Sequence, residues 1–231
     1  MSTANSIPAN TSSDSRKMLQ AMVGIGILCA LLIVLTYEGT LPIIEKNKAA
    51  ALERAIFKVL PGVTQKQTFQ LTPNGGFELG EPEDQSVPVV YAGYDETGQL
   101  AGLAIEASGM GFADILRILY GYDPANQTVV GFYVLESKET PGLGDKIEKD
   151  AAFLDNFVAL DVALTDDLSA LKNPVIPVKK GDKENAWEVD CITGATISSR
   201  AIGNIIGEST KEWVPLIYEQ QEKFTQKAID N

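Results

Sequence analysis

The sequence predicts an α+β protein in which an antiparallel sheet with flanking helices is preceded by one N-terminal transmembrane helix. Three observations carry this expectation. Residues 18–37 form an uninterrupted apolar run without charge. Between residues 64 and 137, short β-prone runs alternate with turns rich in Gly, Pro, Asn and Asp, the pattern of neighbouring antiparallel strands. On either side of that region, apolar residues recur at helical spacing, over 42–60 and again from Ile197 to Trp213.

Residues 1–15 are polar, with several Ser, Thr and Asn, and are expected to lack fixed structure. Arg16 and Lys17 precede the run Met18–Tyr37, whose 20 residues carry no charge. As a helix it would span about 30 Å, the thickness of a hydrocarbon core. A signal peptide is the alternative, but its apolar core would be shorter and a small-residue cleavage site would follow. Glu38-Gly39-Thr40-Leu41-Pro42 follows instead, so a retained anchor is expected. The Arg16-Lys17 pair favours a cytoplasmic tail over residues 1–17. Lys46, Lys48 and Arg54 weaken the bias, but a long folded domain translocates largely regardless of charge. Residues 38–231 are therefore expected outside the cytoplasm, in the periplasm of a Gram-negative bacterium.

Pro42 to Leu60 reads as an amphipathic helix linking anchor and domain, with Leu52, Ile56, Val59 and Leu60 on one side and Pro61-Gly62 ending it. Gln67–Leu71 is a candidate strand, broken by Pro73-Asn74-Gly75-Gly76, and residues 80–87 are acidic and turn-rich. Val89–Tyr94 and Leu100–Glu106 flank Asp95–Gln99 as a hairpin. Ala107–Gly111 is expected as a flexible glycine loop. Its Ser108-Gly109-Met110-Gly111 lacks the full dinucleotide fingerprint, and no helix with a ribose-binding acid follows. Asp114–Tyr120 and Val129–Leu135 form a further strand pair. Residues 151–159 and 165–171 are expected as short helices, and 175–178 and 186–189 as strands joined by the charged loop Lys179–Glu184. The segment from Pro215 onward is expected to be helical or frayed.

Composition narrows the function. The chain has 231 residues and a net charge of −12, with hydrophobic content of 45% and charged content of 22%. That balance suits one folded domain plus an anchor. It argues against nucleic acid as a partner, because phosphate-backbone binding needs Lys and Arg, and against docking of the folded domain on anionic lipid. There is no histidine, which removes Ser-His-Asp and Cys-His catalysis, His-ligated haem and the usual catalytic zinc sites. The two cysteines are Cys29, inside the apolar run, and Cys191. A disulfide between them is not expected, and by themselves they cannot hold an iron–sulfur cluster. An electron carrier on this chain would be organic.

Asp190-Cys191-Ile192-Thr193-Gly194-Ala195-Thr196-Ile197-Ser198-Ser199 lies between a strand-like run and a helix-like run. A turn of this kind offers a phosphate the unpaired N–H groups and positive dipole end of the helix. Gly194 permits close approach of backbone, and Thr196 places a hydroxyl there. By composition alone the stretch is also an ordinary helix cap. However, Asp-x-x-Thr-Gly-Ala-Thr resembles the flavin-attachment motif of the FMN-binding domain family. That family includes the G subunit of the Rnf electron-transport complex and the C subunit of the sodium-pumping NADH:quinone reductase. Glu139-Thr140-Pro141-Gly142-Leu143-Gly144 resembles a second family motif, spaced from the first as the family spaces them. Physically it is a tight turn with bare backbone that a flat ring could approach. The family frequently carries His shortly before this run, where this chain has Ser137-Lys138. Within the family pattern, the glycine turn at 108–111 borders the flavin.

The resemblance covers most of Glu38–Trp213 together with the anchor, and the chain length is closer to the Rnf G subunit than to the longer sodium-pump C subunit. It implies one FMN joined through its phosphate to Thr196 by a flavin transferase. Thr193, Gly194, Ala195 and Ile197 would lie around the phosphate, and Glu139, Thr140, Leu143 and Gly144 would border the ring. Asp190 would serve attachment or cap the turn, and Cys191 would be a packed residue without redox role. The implied setting is a single-pass protein of the bacterial inner membrane, beside other membrane subunits of an Rnf-type complex that couples ferredoxin/NAD electron transfer to ion translocation. The implied role is an electron relay with no turnover alone. Another respiratory FMN-domain protein, such as the sodium-pump C subunit, is the alternative within the family. An anchored binding or assembly protein without flavin is the alternative outside it.

Overall fold

The computed structural model describes residues 11–81 and 87–225. The tail before Thr11, most of the acidic turn at 80–87 and the chain beyond Thr225 lie outside the described residues. The chain divides into two compact units, Met1–Ala50 and Ala51–Asn231.

The first helix, α1 (Thr11–Val59), has 49 residues. It begins earlier than the expected anchor and joins the anchor to the linker helix without interruption. Pro42 lies inside it. A proline removes one backbone hydrogen bond and crowds the preceding turn. Here apolar and Ala-, Leu- and Lys-rich stretches on both sides are strong helix formers and carry the helix through. Between Ser15 and Val59 α1 contains a segment with mean hydropathy 2.6, long and apolar enough to cross a membrane, and 0% of that segment is buried. A core helix of a soluble domain would be covered, so the exposure favours a membrane anchor.

In the second unit, seven strands form one antiparallel sheet. They are β1 (Gln65–Leu71), β2 (Phe77–Leu79), β3 (Val89–Tyr94), β4 (Leu100–Met110), β5 (Ile115–Asp123), β6 (Thr128–Glu136) and β7 (Leu160–Asp161). The order is β2-β1-β3-β4-β5-β6-β7, so nearly every strand pairs with its sequence neighbour, as short turns dictate. The two short strands β2 and β7 have too few residues to show a period in sequence. Alternation puts successive side chains on opposite faces. Val90, Ala92, Leu103, Ile105, Ile118 and Tyr120 face one core, while Tyr91, Ala104 and Leu119 face the other.

The front core is closed by α3 (Thr196–Glu219) through Ile202, Ile206, Trp213, Val214 and Ile217. Each large aliphatic side chain buried in this way contributes about 1.5–3 kcal/mol. α3 runs through Pro215 and is followed by a short helix, α4 (Glu222–Thr225), so the described part of the segment from Pro215 onward is largely helical, one of the two expected forms. The back core is closed by the last turns of α1, through Ala55, Ile56, Val59 and the following Leu60.

Three local expectations are corrected. The glycine loop at 107–111 is strand as far as Met110, with Gly109 opposite Leu116. Gly109 is there because the Ile205 side chain of α3 occupies the place of its missing Cβ. Residues 165–171 are not a helix. Thr165 donates its N–H to Ala170 O and its hydroxyl to Asp167, and Leu164 bridges Leu171. Local Thr and Asp side chains thus satisfy the backbone in place of helical bonds. Residues 151–159 hold only α2 (Ala151–Leu154) and a 3₁₀ turn, Asp155–Phe157. Finally, β8 (Ile176–Val178) and β9 (Glu188–Asp190) pair in parallel, apart from the main sheet.

Candidate functional site

The two sequence motifs meet at the N-terminus of α3. Thr196 is its first residue and is exposed. Its hydroxyl lies 3.4 Å from Ile192 O, a long and weak contact, so the oxygen is accessible. Thr193 and Gly194 are exposed, Ala195 is buried and Ile197 is 58% exposed. Gly194 has φ +84°, a left-handed conformation that β-carbon-bearing residues rarely adopt. Ala195 makes no side-chain cap, and the first N–H groups of an α-helix have no partner within it. Ser199 fixes the turn from inside. Its buried Oγ accepts from Ile192 N at 3.0 Å and donates to Ala195 O at 2.8 Å.

Asp190 is engaged on the side of the charged loop. Its Oδ1 accepts Gly181 N at 2.7 Å, which folds the charged loop back before β9. Cys191 is buried, and desolvation raises its thiol pKa above the ordinary value. A buried, protonated thiol is a poor nucleophile.

The Glu139–Gly144 turn packs against this helix start. Thr140 is exposed, and its carbonyl accepts Leu143 N and Gly144 N, both at 3.1 Å. Leu143 is 55% exposed, and Gly144 is buried. A Cβ on Gly144 would strike the Glu139 carboxylate and come within 2.9 Å of Ser198 Oγ, so the second motif abuts the first. Glu139 itself is buried. It accepts Phe112 N at 2.7 Å and Ala113 N at 3.2 Å, and it receives the Ser198 hydroxyl at 2.7 Å.

Sequence reading missed three residues here. Phe112, at the β4–β5 tip, is 61% exposed beside the Glu139 contact. Ser198 joins the two motifs. Lys146, in the 3₁₀ turn Gly144–Glu148, places Nζ 3.8 Å from where a Cβ of Gly194 would stand. It pairs with no carboxylate of the described residues. Its position two residues past Gly144 was the only signal, and sequence gives no direction for that side chain.

These residues fit FMN. A cation, a glycine turn and free helix N–H groups converge where an exposed hydroxyl stands, which suits a phosphate on Thr196. Exposed apolar side chains at Phe112, Leu143 and Ile197 suit an aromatic ring. Among the described residues no cluster of His, Cys, Asp and Glu could hold a metal ion.

Comparison with known proteins agrees with this chemistry. Residues 111–211 match the FMN-binding domain family. The chain is 33% identical over 195 residues to the G subunit of the ion-translocating oxidoreductase complex of Methanosarcina acetivorans, covering 82% of this chain and 91% of the relative. It is 29% identical over 126 residues to the G subunit of the Na(+)-translocating ferredoxin:NAD(+) oxidoreductase complex of Acetobacterium woodii, covering 54% of this chain and 55% of that one. The C subunit of the Na(+)-translocating NADH-quinone reductase from Parabacteroides distasonis shares the fold, with a TM-score of 0.58 at 20% identity, covering 80% of this chain and 96% of that structure.

Proposed function

The chain belongs to the G-subunit family of ion-translocating oxidoreductase complexes, and from that premise we propose that it is a membrane-anchored relay carrying one FMN on Thr196. The observation that carries this reading is the exposed Thr196 hydroxyl at the start of α3, shortly after a left-handed Gly194. The complex would be of the Rnf type, coupling electron transfer between ferredoxin and NAD to ion translocation, with other membrane subunits as partners. The 33% identity to a G subunit, over 91% of that relative, favours that complex over the sodium-pumping quinone reductase.

Attachment would need a flavin transferase and a flavin dinucleotide as donor. The Thr196 oxygen would bond to the flavin phosphorus as the phosphoanhydride bond breaks, the nucleoside monophosphate would leave, and the hydroxyl proton would pass to a base of the transferase. Lys146 and the α3 N–H groups would hold the phosphate oxygens. Phe112, Leu143 and Ile197 would exclude water from the ring. FMN supplies reversible electron transfer, and the protein supplies position and environment. Linkage through phosphate leaves the ring unmodified and retains the cofactor on the extracytoplasmic side, where we place residues 38–231 by the positive-inside rule.

The test is export of the full chain with a flavin transferase, then in-gel fluorescence under denaturing conditions and peptide mass mapping. The expected result is a fluorescent band whose Thr196 peptide is heavier by FMN less water. Thr196→Val keeps the β-branched shape without the hydroxyl and should be dark. A dark wild-type band beside a working transferase control would instead support an anchored protein without covalent flavin.

A further inference from the structure

Two of the described carboxylates, Glu139 and Glu188, are buried, at 6% and 9% exposure. Their partners differ in kind. Glu188 accepts from Glu184 and Asn185, its own near neighbours in the chain. Glu139 gathers donors from distant segments: Phe112 N and Ala113 N from the β4–β5 tip, and the Ser198 hydroxyl from α3.

We propose that Glu139 is a positioning residue for the flavin and not a contact of it. Its carboxylate fixes the spacing between the β4–β5 tip, the Leu143 turn and the Thr196 attachment point. The proposal rests on the proposed function, in which FMN occupies this surface. Oε1 holds the backbone at Phe112, and Oε2 holds Ser198, two residues beyond Thr196. The Glu139 backbone leads directly into the turn that presents Leu143. Gly111 and Gly144 leave the bare backbone that lets the carboxylate lie between these segments, since a Cβ on either would strike it. The described hydrogen bonds of its carboxylate all come from protein donors, Phe112 N, Ala113 N and Ser198 Oγ, as a buried carboxyl group requires. Phe112 and Leu143, 61% and 55% exposed, therefore project from segments held by one group. They can bracket a ring only while that group sets their separation.

Replacement by Ala strands two N–H groups and a hydroxyl, and frees the tip from α3. Replacement by Gln keeps an acceptor for the two N–H groups, and its amide donates to Ser198 once that hydroxyl turns to accept. The experiment uses the full chain, loaded with FMN in the presence of transferase and solubilised from membranes. It measures flavin retained on denaturation, fluorescence anisotropy of the native protein, and melting temperature. Glu139→Ala should keep its denaturation-resistant FMN while anisotropy falls by about half toward that of a tethered free flavin, because orientation and not attachment is lost. Glu139→Gln should hold the wild-type value, and Ser198→Ala should fall between. A purely structural role would lower melting temperature and leave anisotropy unchanged below the transition. Folded Glu139→Ala with wild-type anisotropy would overturn the proposal. If that variant fails to fold, wild-type anisotropy in Ser198→Ala does the same. Wild-type protein holding polarised but denaturation-labile flavin would remove the Thr196 linkage and leave the positioning role standing. Wild-type protein with no flavin at all would remove both.

Discussion

The two faces of the sheet are closed by helices of different character. The back face meets the end of α1 through aliphatic packing of Ala55, Ile56, Val59 and Leu60 on Tyr91, Ala104 and Leu119. Gly121 and Gly131, opposite each other in β5 and β6, leave the notch for it, since a Cβ on either would strike Val59 O. The front face meets α3 through a larger apolar core and also through directional bonds. Tyr120 and Ser209 share a hydrogen bond of 2.9 Å, and Glu139 holds Ser198. Apolar packing is non-directional, whereas hydrogen bonds fix angle and register. The last turns of α1 pack on the face where fit alone suffices, and the candidate site lies at the start of the helix that is also bonded in place.

Gly131→Val should break the back face. The added side chain has no room beneath Val59 and should cost about 3 kcal/mol of stability, the upper range for overpacking. Denaturant unfolding measures it, and FMN loading of the folded fraction should persist because the front face is untouched. A loss below about 1 kcal/mol would mean that the notch is not tightly closed. On the front face, Lys146→Met should slow FMN attachment about tenfold by removing a charge-assisted phosphate contact, with stability unchanged. Lys146→Arg should restore most of the rate, as followed by the time course of in-gel fluorescence. The smallest effect is expected for Tyr120→Phe, which deletes one hydrogen bond to Ser209 and should cost about 1 kcal/mol. Tyr120 is fully buried, and desolvation holds its hydroxyl pKa far above the usual value. The loss should therefore be constant with pH across the range where the folded protein is studied. A cost that varied with pH would show water reaching this bond.

The sequence by itself determined the apolar anchor, the meander of strands and the two motifs, because each is written in local signals. These are an uncharged run of membrane length, β-prone runs between turn residues, and a glycine turn before a helix. Local signals also misled where a partner far along the chain decides. Gly109 reads as a loop residue, yet it continues β4 because Ile205 of α3 fills its place. Pro42 reads as the start of a separate linker helix, yet α1 runs through it. Residues 165–171 read as a helix, yet Thr165 and Asp167 close them as a turn. Only the tertiary structure decided that the Glu139 and Thr196 motifs abut, that Glu139 turns inward to Phe112, Ala113 and Ser198, and that Lys146 stands over Gly194. The physical reason is that side-chain direction and long-range proximity depend on how the helix packs on the sheet. No spacing of residues along the chain encodes that packing by itself.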